Sequence, residues 1–169
     1  MKQVEEKPAE GPAYTVSREK KEQTDFAVSN IPKGRELSSP VAADPIAGAL
    51  GGMTFDDVHK AAAPGDAKVS HVIYHTFDGL DLDIAGRKDG THDLITITVH
   101  STAKETADEA QKLTTQLQGW EYELPSYKYD SIFHSMDDLL KPLEPPKKAD
   151  KGADKTKGGK KADKAADTP

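Results

Sequence analysis

Two Asp-Gly dipeptides, Asp78-Gly79 and Asp89-Gly90, constrain the fold of this chain more than any other feature of its sequence. Both residue types tolerate a positive φ, so Asp-Gly between runs of alternating apolar residues predicts a two-residue β-hairpin turn. We therefore expect residues 69–100 to form a three-stranded antiparallel meander.

The two turns also predict the register of this meander. The first turn would pair His75 with Leu82 and Ile73 with Ile84, and the second would pair Ile84 with Ile95. Both turns gather one set of large apolar side chains on a common face, since side chains alternate along a strand. The set comprises Ile73, Phe77, Leu80, Leu82, Ile84, Ile95, Ile97 and Val99. A slip of one residue would turn a strand's apolar side chains to the opposite face.

The other face of the meander carries the candidate binding residues Tyr74, Asp81 and Asp83. Paired carboxylates can act in acid–base chemistry, although a solvated sheet face has the same alternation of polar residues. His75 would pair with Leu82 within the apolar face, so we expect it to be a partly buried core histidine.

The segments on either side of the meander are predicted to form further strands and helices. Before the meander, residues 13–30 predict a hairpin, a short helix ends at Gly51-Gly52, and a strand follows at 55–58. After it, a Thr102–Glu105 capping box predicts a helix over 103–118. A strand from Trp120 to Leu124 and one or two helices complete the order.

The order is ββαβ followed by βββαβα, which predicts an α+β fold with antiparallel sheet meanders and helices packed on one face. The repeated pattern suggests two related ββαβ-like units, at about 13–60 and 69–141, within a single domain of residues 13–141. Residues 1–12 and 142–169 hold few large apolar side chains, so we expect both segments to be disordered.

Charge and composition exclude several functions. The net charge is −6, and the eight Lys and four Asp from residue 147 onward leave an acidic remainder, which argues against nucleic-acid binding. The chain has no cysteine, no apolar run long enough to span a membrane and no phosphate-binding loop. The six histidines lack metal-ligand spacing, so we predict no catalytic residue, no cofactor and no metal.

Several segments resemble a bacterial family called domain of unknown function 4340. They are residues 32–40, 43–50, 57–58, Thr76-Phe-Asp-Gly-Leu80, Gln118-Gly-Trp-Glu-Tyr-Glu-Leu-Pro125 and 138–140. The resemblance implies an extracytoplasmic protein with an N-terminal membrane anchor, encoded in some cases beside ABC-type transport systems of the gliding-motility kind. The first residues, MKQVEEKPAEGPAY, contain no such anchor, so we expect this chain to be a C-terminal piece of a longer protein; a cytoplasmic location is the alternative.

The leading functional expectation is a non-catalytic extracytoplasmic interaction module with a protein partner, auxiliary to a membrane transport complex. One alternative is a hydrolase or a binding protein for a small polar ligand that uses Asp81, Asp83 and a nearby histidine. Another is contact of the Lys-rich tail with polyanions or a membrane surface.

Overall fold

A computed structural model describes residues 1–142 of the chain. The strands within them are β1 (Gln3–Lys7), β2 (Tyr14–Ser17), β3 (Ala27–Val28), β4 (Asp57–Lys60), β5 (Val69–His75), β6 (Leu80–Asp89), β7 (His92–Ser101) and β8 (Trp120–Leu124). The helices are α1 (Asp44–Ala47), α2 (Ala107–Leu117), α3 (Ser126–Ile132) and α4 (Met136–Leu139).

The strands form one antiparallel sheet in the order β3-β2-β1-β5-β6-β7-β8-β4. This arrangement confirms the α+β class and the antiparallel sheet. The element order over 13–60 and 69–141 also follows the predicted pattern. The strands of the two predicted units, however, belong to a single sheet. Strand β4 of the first unit lies at the far edge of that sheet and pairs with β8 of the second.

Strand β1 corrects the prediction that residues 1–12 are disordered. It pairs with β2 on one side and with β5 on the other, so it joins the first hairpin to the meander. Val4 and Glu6 are fully buried on the core side, while their neighbours are polar. A single apolar residue among charged ones carries too weak an alternation to predict a strand.

The first Asp-Gly turn has three loop residues where we expected two. Thr76 and Leu80 close the turn through backbone and side-chain bonds, as the Thr76 N–H donates to the Leu80 carbonyl at 3.0 Å and Thr76 Oγ1 accepts from the Leu80 N–H at 2.9 Å. Gly79 takes a φ of 86°, as the last residue of a three-residue hairpin loop does.

The extra loop residue shifts β5 by one position, so the predicted register of this strand is wrong. Tyr74 pairs with Leu82, and Val72 pairs with Ile84. Val72 and Tyr74 therefore face the core, whereas Ile73 and His75 face the other side. Ile73 was expected in the core and lies instead opposite Asp83.

The pairing of β6 with β7 across the second turn differs by two residues from the predicted pairing, and the side chains stay on their predicted faces. Asp89 pairs with His92 across a Gly90-Thr91 loop, so Ile84 lies opposite Ile97 where we expected Ile95. Because side chains repeat every two residues along a strand, a shift of two leaves every side chain on its expected face.

Helices α1, α3 and α4 pack on the core side of the sheet. Ile46, Ile132 and Leu139 join the buried residues of β1, β5 and β6 in one apolar cluster. The ring of Phe133 lies so close over Gly86 that a Cβ there would be 2.3 Å from it. Gly86 thus allows the end of α3 to contact the sheet.

The predicted capping box at Thr102–Glu105 does not form. A 3₁₀ turn at Lys104–Thr106 precedes α2, and the Thr102 hydroxyl donates to the Gly79 carbonyl at 3.1 Å. Helix α2 instead covers the edge of β7 beyond the end of β8, where the Thr114 hydroxyl donates to the Val99 carbonyl at 2.8 Å. A complete capping box occurs at Ser135–Asp138, at the start of α4.

Within residues 1–142, none of the helices has the length and apolarity needed to cross a membrane. The tail prediction, for residues 142–169, lies outside the described residues except for its first position.

Candidate functional site: the polar face of the sheet

The side of the sheet opposite the core carries a group of histidines and carboxylates, which we call the polar face. Its central members are Glu5 on β1, His71 and His75 on β5, and Asp81 and Asp83 on β6. The pairing of β5 with β6 brings these side chains together. His75 lies directly opposite Asp81, and residues two positions away on each strand point to the same face.

His75 lies between two carboxylates at the centre of the polar face. Its Nδ1 is 2.9 Å from Asp81 Oδ1, and its Nε2 is 3.4 Å from Glu5 Oε1. The prediction that His75 is a core histidine is wrong, because the one-residue shift of β5 turns its ring to the polar face. Its Nε2 is buried and makes no hydrogen bond among the described residues, so the closer of the two carboxylate contacts is the one to Asp81.

His71 and Asp83 form a second and more exposed pair next to the first. Their Nδ1 and Oδ1 atoms are 3.4 Å apart, and their side chains are 46% and 34% exposed. The two predicted carboxylates, Asp81 and Asp83, therefore do share a face, and each contacts a different histidine.

The residues of the polar face lie away from the cavities described for residues 1–142. Four cavities of the described residues are lined by side chains other than Glu5, His71, His75, Asp81 and Asp83. Over residues 1–142 no three His, Asp or Glu side chains are arranged to hold a metal ion.

Tyr74 does not belong to this site, which corrects its assignment as a binding residue. It faces the core, is fully buried, and its hydroxyl has no hydrogen-bond partner. Burial, together with the nearby Glu6 carboxyl, raises the pKa of Tyr74 above its ordinary value. Its role is to fill the core beneath β1 and β6.

A second group of ion pairs extends the polar face toward β8. Arg87 donates two bonds of 3.0 Å to the Glu121 carboxylate and a third of 3.0 Å to Asp89. The hydrogen bonds to Glu121 raise the pKa of Arg87, so the guanidinium stays charged. His92 Nδ1 lies 2.7 Å from Glu123 Oε1, and this contact raises the pKa of His92.

Glu6 is a buried charged-type residue whose place in the core could not be predicted from the sequence. It occupies a core-facing position of β1 with one carboxyl oxygen unpartnered, and burial raises its pKa to about 9. The directly opposite residue, Tyr14, donates its hydroxyl to the His134 carbonyl at 3.1 Å. In the sequence, the core position of Glu6 is indicated only by its spacing of two residues from Val4.

Trp120 is a large aromatic side chain that is 40% exposed. It lies on β8 opposite Lys60 of the edge strand β4. Together with Thr96, Thr98 and Thr114 it lines a cavity of about 260 Å³ where β7 and β8 diverge.

Neither a family model nor a curated protein nor a solved structure matches this chain. The resemblance to domain of unknown function 4340 therefore stays a prediction from the quoted segments. The fold and the polar face define an α+β antiparallel-sheet domain whose helices α1, α3 and α4 leave one face of the sheet to charged side chains.

Proposed function

We propose that this protein is a non-catalytic interaction module that binds a protein partner through the polar face of its sheet. The observation that carries the proposal is a partly exposed sheet face on which His71 pairs with Asp83 and His75 with Asp81. Glu5, Asp81 and Asp83 lie on one face of the sheet, are partly exposed, and line none of four cavities described for residues 1–142.

The chemistry of the polar face points to a basic partner surface. Three carboxylates accompany two histidines at its centre, so at neutral pH the patch is acidic. Complementary charge mainly raises the rate at which two proteins associate and disfavours acidic competitors, and it contributes less to the affinity itself. A partner presenting Lys or Arg would bind with a rate that falls as salt concentration rises.

The resemblance of the quoted segments supports a more specific version of this proposal. In that version the module lies outside the cytoplasm and serves an ABC-type membrane transport complex. The partner would then be a transporter component or another auxiliary protein of the same complex.

The test is affinity capture from detergent-solubilised membranes of the native host at low salt. The wild-type chain is compared with a double reversal on the polar face, Glu5→Lys with Asp83→Lys. A matched reversal on the exposed side of α2, Asp108→Lys with Glu109→Lys, controls for net charge.

Recovery of a transport component by the wild type and the α2 control, and its loss with the polar-face variant, would support the proposal. Capture that persists when the polar face is reversed would show that this face is not the contact surface. If no membrane protein is recovered by any variant, the transport version of the proposal is wrong.

A hydrolase or small-ligand function on the same residues is the second candidate. His75, held at 2.9 Å from Asp81 and 3.4 Å from Glu5, is the observation that favours it. Hydrolysis of activated ester substrates that disappears in Asp81→Asn would support this candidate, and equal background rates for the two proteins would count against it.

A further inference from the structure

Strands β7 and β8 separate from each other along part of their length. Their pairing reaches Ile95 opposite Tyr122 and ends two positions before the register would bring Ile97 opposite Trp120. The separation leaves the cavity of about 260 Å³ that Trp120 lines with its partly exposed ring. A break of this kind takes the usual strand partner away from backbone groups of both strands, and such groups need another hydrogen-bonding partner.

Backbone donors and acceptors from both strands point into the cavity. The Val99 carbonyl of β7 accepts a hydroxyl hydrogen bond from α2, and the direction of backbone bonding repeats every two residues, so Ile97 points its N–H and C=O to the same side. The Gly119 carbonyl, just before β8, accepts from the Ala61 N–H on the β4 side. Trp120 therefore points its own N–H and C=O the other way, toward β7.

The lining of the cavity is electrically neutral. All nine of its residues are uncharged, although 31% of the residues of the chain are charged. The residues with polar side chains among them are Thr96, Thr98, Thr114 and Gln118. A charged ligand would lose hydration here and gain no opposite charge in return, so the lining selects a ligand that is polar and neutral.

The cavity is closed at both ends, which limits the size of an occupant. The pair formed by Ile95 and Tyr122 closes one end, and α2 closes the other where it contacts Val99. A polypeptide strand running beside Ile97 would collide with α2. The volume lies just below the range of about 300–1,000 Å³ that is typical of pockets for drug-sized ligands, so it suits a single ring.

We propose that this cavity binds one ring of a neutral carbohydrate. A hydroxyl both donates and accepts hydrogen bonds, so the hydroxyls around a sugar ring can satisfy the N–H and C=O groups of Ile97 and Trp120 together. The face of a pyranose ring carries C–H groups, which can pack on the exposed part of the indole. A nucleoside offers similar groups, but it consists of a base and a sugar, which is more than one ring.

Trp120 is the only tryptophan of the chain, so its fluorescence reports directly on this cavity. Titration of the full 169-residue chain with glucose, galactose, mannose or N-acetylglucosamine should give a saturable change for at least one sugar. We expect a dissociation constant on the order of 1 mM, as suits so small a ligand. Glucuronate or galacturonate should bind at least tenfold more weakly than the neutral sugar of the same configuration, because its carboxylate meets no opposite charge.

Two exposed alanines of the segment after β4 supply a variant and its matched control. Ala61 lines the cavity and Ala63 does not, and both are exposed, so folding should be preserved in each variant. Ala61→Phe should fill the cavity with its ring and weaken sugar binding tenfold or more, whereas Ala63→Phe should bind like the wild type. Trp120→Ala, followed by saturation-transfer NMR of the sugar, should weaken binding about tenfold.

Amide NMR shifts locate the bound sugar independently of these variants. Addition of the sugar should shift the Ile97 and Trp120 amides and leave those of His75 and Asp81, on the polar face, unchanged. The proposal is overturned if none of the four sugars gives a saturable response, if adenosine alone does, or if Ala61→Phe binds as well as Ala63→Phe. Shifts confined to the polar face would also overturn it.

Discussion

Glu6 is the residue at which this fold departs most from the usual division between core and surface. It is 1% exposed and lies between Val4 and the end of β1 on the core side. Burial of the carboxyl favours its neutral form, although a backbone N–H of His134 favours the charged form. With a pKa of about 9, the side chain is protonated at neutral pH in the folded protein.

This protonation makes stability depend on pH in a definite direction. In the unfolded chain Glu6 loses its proton near its ordinary pKa of 4.5, so between that pH and about 9 the folded state holds one more proton. Stability must therefore fall as pH rises through this window. The effect is opposite in sign to that of a carboxylate held by a salt bridge.

Glu6→Gln should remove this dependence, since the amide has the same shape and stays neutral. We expect the variant to be more stable than the wild type at pH 7 by up to about 3 kcal/mol, and close to it below pH 4.5. Urea unfolding at several pH values measures the difference. Glu5→Gln, on the polar face, is the matched control, and parallel curves for Glu6→Gln and the wild type would mean that Glu6 is ionised in the folded state.

At the scale of elements, the sequence predicts the meander, the strand β8 and the order of helices well, and it predicts register poorly. Long alternating runs such as β6 and β7 reveal themselves because many apolar residues repeat with a period of two. Asp78-Gly79 fits both a two-residue and a three-residue loop. The choice depends on the Thr76 hydroxyl and on the contact of Gly79 with Ala103, which arise only once distant segments meet.

That single ambiguity accounts for the errors at the candidate site. Asp81 and Asp83 lie on the predicted face because the side chains of β6 alternate as expected. Tyr74 and His75 lie on the opposite faces from those predicted because β5 is shifted by one residue against β6. The acidic half of the site was therefore predictable from sequence, and its histidines were not. Glu6 and β1 were missed for a different reason, since charged residues at core positions carry no hydrophobic signal.

The contact between β6 and the end of α3 offers a prediction about packing of elements. Gly86→Ala would place a methyl group within 2.3 Å of the Phe133 ring, so the helix or the ring must move. We expect a loss of about 1–3 kcal/mol in the free energy of unfolding. In a Phe133→Ala background the same change should cost much less, and equal costs in the two backgrounds would show that the ring does not contact Gly86.

At the scale of the whole molecule, β1 holds the sheet together. It is the only described strand that connects the β2–β3 hairpin to the meander, and it pairs with β2 and β5 along most of its length. Val4 lies in the same buried cluster as residues of α1, α3 and α4. Residues 1–12 should therefore belong to the cooperative unit that unfolds as a whole.

Two adjacent substitutions on β1 can test this, because they face opposite sides of the sheet. Val4→Asn removes a fully buried apolar side chain and introduces a polar group among Tyr14, Val16 and Tyr74, at an expected cost of about 3 kcal/mol. Glu5→Asn changes the partly exposed polar face and should alter stability by about 0.5 kcal/mol or less. Thermal unfolding of both variants measures the contrast. If β1 were peripheral to the domain, both substitutions would be nearly neutral, whereas an integral β1 requires that Val4→Asn alone lowers the midpoint of a single cooperative transition.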